Sequence, residues 1–130
     1  MKLKLSNVCF IGQADPAPYY KKASIMCLTS SYEGFGMVIT ESMQNNVIPI
    51  VYHSYESVTD IIENNTTGFL IEPFKTKNFA DKLDELMNKT DLMETIQKNI
   101  KNCDIKEKFN VKKITDQLEN LFQKLNYASH

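Results

Sequence analysis

Glu33 and Glu41 flank a Gly34-Phe35-Gly36 turn, with seven residues between the two carboxylates. Carboxylates accept hydrogen bonds from hydroxyl groups, and a vicinal diol can donate two to one such group. Glycines let a ligand approach the backbone closely. A helix opening just after Gly36 would aim its unpaired N–H groups and its dipole at the same place, which suits a phosphate. Glu41 would then stand about 7.5 Å along that helix from Gly36, at 1.5 Å per residue. The combination fits a ligand carrying both phosphate and hydroxyls. Spacing alone is a weak signal in a chain with sixteen acids. Glu41 as a solvated helix residue, and Glu33 as a loop charge near a helix N-terminus, serve the same pattern. Phe35 is more often core than a stacking platform. The run is neither G-x-G-x-x-G nor a P-loop, so a dinucleotide oxidoreductase and a Walker-type NTPase are disfavoured.

The elements around the pair give it a setting. Ile25 to Leu28 reads as a strand before the glycine loop, and Met37 to about Asn45 as the helix after it. Val47 to Tyr52 reads as the next strand, with Pro49 an awkward occupant because it lacks a ladder donor. An earlier strand is expected at Val8 to Ile11, ended by Gly12. Asp15-Pro16-Ala17-Pro18 opens a short helix over Tyr19 to Ala23. Ser57 can cap a helix through Ile62, with Asp60 in the capping-box position. Asn64 to Gly68 is a turn cluster, and Phe69 to Ile71 a fourth strand stopped by Pro73. Thereafter the rhythm is helical. Phe79, Leu83, Leu86 and Met87 mark one helix, and Met93, Ile96 and Ile100 another that starts at Asp91. Ile114, Leu118, Leu121, Phe122 and Leu125 mark a last helix ending near Asn126. Lys and Asn between these positions read as solvated faces. The expected fold is α/β, a Rossmann-like three-layer parallel sheet of about four strands. Helices cover both faces, and a helical tail runs over about 76–126. In such a sheet, ligands sit beyond the carboxyl ends of the strands, where residues 29–36 fall.

Composition narrows the classes. The 130 residues fit one compact domain, and 42% apolar with 24% charged residues is ordinary for a globular protein. A net charge of -1 gives no reason to expect nucleic acid as a partner. All fifteen basic residues are Lys, so no guanidinium fork is available for a diphosphate. Backbone amides, or cations from outside this chain, must meet that charge. Three cysteines form no CxxC pair, and Cys9 and Cys27 within apolar runs read as buried free thiols. His53 and His130 have no metal-ligand spacing. Met1 to Leu5 resembles a basic signal start, but Val8 to Ile11 is too short an apolar stretch to serve as its core. A cytoplasmic protein is the expectation, with membrane association left open for a full-length form.

The run Ala23 to Val38, continued by Glu41-Ser42-Met43, resembles the E-x7-E donor-site signature of retaining GT-B glycosyltransferases of group 1 (family 4). Phe10-Ile11-Gly12 and Tyr19-Tyr20 resemble the family's elements before it. Ile48 to Val51, Ser57 to Ile62 and Gly68 to Pro73 resemble the family's elements after it. The likeness covers roughly Asn7 to Lys124. It implies a nucleotide-sugar donor site, transfer of the sugar with retention, and no bound metal or other cofactor. Glu33 would be the catalytic residue, nearest the reacting carbon. The amides of Gly34, Phe35, Gly36 and Met37 would meet the sugar and diphosphate. Glu41 would hold the ribose diol, and Gly12 and Gln13 would border the base.

Two departures stand out. The family usually has Gly where Asn46 stands, and Asn tolerates the left-handed conformation. The resemblance also implies a full-length form with an acceptor-binding N-terminal domain and an Arg/Lys pair, neither found in this chain. Two strands usual between Val8 and Ile25 are absent as well. The 130 residues thus read as one partial donor domain, inactive alone, whose sugar or glycolipid acceptor would be held by the missing part. Exposed sheet edges would favour homo-oligomers or marginal stability. A nucleotide-sugar epimerase on the same fold and a non-catalytic binding module are the alternatives.

Overall fold

The computed structural model describes residues 5–128. Met1 to Lys4 of the basic start, and His130, lie outside the described residues. In chain order the elements are α1 (Ala17–Tyr20), β1 (Ile25–Leu28), α2 (Met37–Gln44), β2 (Ile48–Tyr52), α3 (Val58–Ile61) and β3 (Phe69–Ile71). Four helices come next: α4 (Thr76–Asn88), α5 (Thr90–Asn102), α6 (Ile105–Lys108) and α7 (Val111–Ala128).

The sheet is parallel, in the order β1-β2-β3. Strand β2 is buried along its whole length. Successive side chains of a strand point to opposite faces, so both faces of β2 are covered. Helices α2 and α5 both pack on it. Ile39 and Met43 of α2, and Ile96 and Ile100 of α5, join Ile48 and Ile50 in one core. Burial on both faces explains why β2 reads as a continuous apolar run rather than an alternating one.

Pro49 sits in the central strand without breaking it. The Ile48 amide donates to the Ser24 carbonyl at 3.0 Å, toward β1. The missing N–H of Pro49 therefore faces the other side, where pairing with β3 begins only at Ile50 and Phe69. Gly68 takes the space beside the ring. A Cβ there would stand 2.7 Å from Pro49 Cγ and 2.8 Å from its carbonyl oxygen.

Several sequence expectations need correction. Val8 to Ile11 forms no strand, so the sheet has three strands among the described residues, not four. The run has no ladder partner among the described residues, and Phe10 is 90% exposed. Helix α1 ends at Tyr20, short of Ala23. The three cysteines are free, but Cys9 and Cys27 are exposed rather than buried. Cys9 lies in the unpaired N-terminal run, and Cys27 is the one exposed residue of the outer strand β1. Ser57 makes no capping bond and the box with Asp60 does not form. Asn46 does adopt the left-handed conformation, with φ of 61°. Helix α6 was not legible. It is short, and Asp104 caps it by accepting from the Glu107 amide at 3.3 Å.

Candidate functional site

The loop of residues 29–36 leaves the carboxyl end of β1 and ends at the first turn of α2. A second loop, residues 53–57, leaves the carboxyl end of neighbouring β2. The two are tied together. Ser54 Oγ donates to the Ser30 carbonyl at 2.9 Å, and Ser57 Oγ to the Gly34 carbonyl at 3.3 Å. Tyr55, between them, brings its hydroxyl under Gly36. A Cβ on Gly36 would lie 2.6 Å from that oxygen. The site thus rests on two adjacent strand ends, the place where open α/β sheets bind ligands.

Gly36 is the N-cap of α2, in the left-handed region with φ of 83°, and no side chain caps the helix there. The Ile39 amide donates to the Gly36 carbonyl at 2.9 Å, while the first amides of a helix otherwise have no partner within it, so those of Met37 and Val38 are available to an anion. Gly34 behaves differently. Its φ is not positive, and a Cβ on it would meet nothing within 4 Å. Of the two glycines in the turn, only Gly36 uses a conformation that favours glycine. Phe35 is 39% exposed and packs edge-on against Phe109, with ring centroids 5.3 Å apart. Met37, the first helical residue, is 67% exposed.

Both glutamates are half-buried. Among the described residues neither carboxylate accepts a hydrogen bond or pairs with a lysine. Each instead lies near a tyrosine. Burial, and then the charge of Glu33, push the Tyr55 phenol up. Its buried hydroxyl has no hydrogen-bond partner. Burial, and then Glu41, push the Tyr20 phenol up. Tyr20 donates to the Val38 carbonyl at 3.2 Å, tying α1 to the helix that carries Glu41. A cavity of about 210 Å³ opens there, lined by Asp15, Pro16, Tyr20, Glu41 and Gln44 among others. Gly12 and Gln13 are exposed and do not line it. Gly12 has a φ of 68°. No three His, Cys, Asp or Glu side chains converge among the described residues.

The structure therefore places Glu33, Gly34, Phe35, Gly36 and Met37 on one loop and helix start, with Glu41 five residues beyond Gly36. Sequence reasoning missed Tyr55, Ser54 and Tyr20 as parts of this site. Tyr20 carried a signal, as an aromatic four residues after Pro16 in a helix that had to pack somewhere. Tyr55 and Ser54 carried none, because strand pairing brings them to the glycine loop.

The family described as "Glycosyl transferases group 1" matches residues 2–103. The capsular polysaccharide biosynthesis glycosyltransferase CapM of Staphylococcus aureus is 30% identical over 117 residues, 89% of this chain and 30% of CapM. The alpha-D-kanosaminyltransferase of Streptomyces kanamyceticus is 36% identical over 75 residues, 58% of this chain and 19% of that enzyme. This chain thus spans less than a third of these relatives. Among solved structures, Anabaena HepE in complex with UDP-glucose superposes with a TM-score of 0.78 at 22% identity, covering 92% of this chain and 33% of HepE. TarM gives 0.74 at 27% identity, covering 85% of this chain and 22% of TarM. No helix among the described residues is long and apolar enough to cross a membrane. With the family match covering most of its length, the chain belongs to the group 1 glycosyl transferases.

Proposed function

We propose that this chain is the donor-binding portion of a glycosyltransferase that moves a sugar from a nucleotide-sugar to an acceptor in glycan synthesis, with retention. One observation carries the reading. Two half-buried carboxylates, without protein partners among the described residues, flank an uncapped helix N-terminus at the carboxyl ends of two parallel strands. A half-buried charge left unpaired is costly. Ligand hydroxyls would satisfy Glu33 and Glu41. The UDP-glucose bound by HepE supports a nucleotide-sugar as that ligand.

In this reading the diphosphate lies over Gly36. The amides at the start of α2 and the helix dipole meet its charge. Glu33, on the loop, accepts from sugar hydroxyls nearest the reacting carbon. Glu41, on α2, accepts from the ribose diol, and Gly12 and Gln13 border the base. The phosphate charge is met without a metal ion, and further cations come from outside these residues. Transfer also needs an acceptor held in reacting geometry. The 130 residues alone are expected to bind donor without transferring sugar.

Calorimetry with UDP-glucose tests the site. Glu33→Ala and Glu41→Ala should each weaken binding by on the order of 1–3 kcal/mol, the worth of hydrogen bonds to a charged group. Unchanged affinity in both variants would remove the assignment. Robust transfer by the isolated chain would overturn the division of labour.

A further inference from the structure

The donor loop is held from a part of the chain that carries none of its carboxylates. Residues 29–36 form neither helix nor strand. Gly34 adopts no unusual angle, and Phe35 is 39% exposed. Little in the local sequence therefore fixes the backbone between Glu33 and Gly36. Two distant contacts do. Ser57 Oγ donates to the Gly34 carbonyl at 3.3 Å. The Phe109 ring meets the Phe35 ring edge-on, with centroids 5.3 Å apart and planes at 77°.

Phe109 is itself anchored. It closes α6, where its amide donates to the Ile105 carbonyl at 3.3 Å. Ile105 is buried in the core, and α6 packs on α2. Lys108 donates from Nζ to the Asp60 carbonyl on α3 and holds its charge 5.6 Å from the centre of the Phe109 ring. Ser57 directly precedes α3. The contacts close a circuit from Gly34 through Ser57 and α3 to Asp60, on through Lys108 and Phe109, and back to Phe35. Helix α6 thus braces both the helix that carries Glu41 and the loop that carries Glu33. An edge-on aromatic pair holds geometry as well as burying area. A loop already held in its bound shape loses less freedom when a ligand arrives.

We propose that Phe109, steadied by Lys108, is a positioning residue for the donor. Through the Phe35 ring it fixes the loop backbone in the shape that meets the sugar and diphosphate. The proposal rests on the donor reading above, and Phe109 itself touches no ligand in it.

Calorimetry with UDP-glucose and ¹⁵N relaxation, both on the full chain, test it together. Phe109→Ala should weaken binding about 5- to 30-fold, the effect of having to order one further residue of backbone. Phe109→Tyr keeps the ring edge and should bind as the parent does. In a Phe35→Ala background, Phe109→Ala should add no further loss, a result that general loosening of the fold would not produce. Order parameters of the Gly34 and Phe35 amides should be ~0.85 in the parent and fall below about 0.6 in Phe109→Ala. Far-UV circular dichroism shows whether each variant folds. If Phe109→Ala does not, Phe109→Leu keeps an apolar side chain, lacks the aromatic edge and should weaken binding about two- to tenfold.

Parent-like affinity in Phe109→Ala, or in Phe109→Leu where alanine does not fold, would overturn the proposal. The donor site would still stand if Glu33→Ala and Glu41→Ala weaken binding. A further loss in the Phe35→Ala background would overturn the route through Phe35. A parent that binds no UDP-glucose would overturn the donor reading and the positioning role with it. Order parameters that stay high in Phe109→Ala would overturn the bracing alone.

Discussion

Gly36 offers the sharpest test of how the donor loop is built. Gly36→Ala forces an L-residue to hold a φ of 83°, which costs about 1–2 kcal/mol. The new Cβ also lands 2.6 Å from the Tyr55 hydroxyl and 3.0 Å from Ile39 Cδ1. Overpacking of that kind adds about 1–3 kcal/mol. The total is about 2–5 kcal/mol, against the ~5–15 kcal/mol of a typical domain. The two parts can be separated. Tyr55→Phe removes only the clashing oxygen, and Cζ at 3.5 Å is in ordinary contact. In that background Gly36→Ala should cost the backbone part, about 1–2 kcal/mol, plus the small shift by which the flexible Ile39 Cδ1, still 3.0 Å away, gives way. The difference, about 1–3 kcal/mol, is the coupling a double-mutant cycle reads. Tyr55→Phe alone should be close to neutral, because the hydroxyl it removes is buried without a partner. Gly34→Ala is the control, expected within about 0.5 kcal/mol of the parent. Urea unfolding monitored by far-UV circular dichroism measures all five chains. If Gly36→Ala matches Gly34→Ala, the left-handed N-cap is wrong. If Tyr55→Phe gives no relief, the packing of Tyr55 beneath it is wrong.

Three further outcomes are expected. Gly68→Ala puts a Cβ against the Pro49 carbonyl oxygen at 2.8 Å, and backbone cannot rotate away. A loss of about 3 kcal/mol should lower the melting temperature by roughly 10 °C; a parent-like melt would refute the close β2–Gly68 approach. Asn46→Gly removes both a left-handed side chain and a buried, unpartnered Oδ1, while Gln97 still donates to the residue 46 carbonyl. It should gain about 0.5–1.5 kcal/mol in the same unfolding assay, and a net loss would count against the orphaned oxygen. Lys82 and Lys89 hydrogen-bond Glu85 and hold its carboxyl at about 2, below the ordinary 4.5. The folded value is the lower one, so its contribution is full above pH 4.5 and lost as pH falls toward 2. Glu85→Gln should flatten that limb of the pH–stability curve, and an NMR titration of Glu85 near 4.5 would refute the pairing.

How much of the fold was legible in the sequence depends on the range of each signal. The helix rhythm correctly marked Phe79 and Leu86 on α4 and Ile96 and Ile100 on α5 as core. The same rhythm on α7 marks a face that stays exposed within the chain. Periodicity reports that a face is apolar, not what lies against it. Val8 to Ile11 failed for a related reason. An apolar run becomes a strand only when a neighbour completes its ladder, and none among the described residues does so.

The donor loop divides along the same line. Its turn is local, so the Gly34-Phe35-Gly36 run ahead of an apolar helix was enough to place the loop, though not to say that Gly36 rather than Gly34 takes the left-handed conformation. Its bracing is not local. Ser57 looked like a helix cap because caps are read within four residues, yet its hydroxyl reaches back 23 positions to Gly34. Ser54 spans 24 positions to Ser30. Both contacts exist because β1 and β2 pair in parallel with Leu28 opposite Val51, which brings the loops after them side by side. The bracing loop therefore depends on register. One-residue slippage of β2 against β1 would carry Ser54 and Ser57 away from their carbonyls and Tyr55 from beneath Gly36, while leaving the Glu33–Glu41 spacing in the sequence untouched. Pro49 is compatible with one facing of β2 only, since the Ile48 amide points to β1 and the missing N–H of Pro49 to the side where β3 has not begun to pair. A one-residue slip would turn that gap toward β1 and cost a ladder bond, so a residue that carries none of the chemistry disfavours the register that would dismantle the bracing of the donor loop.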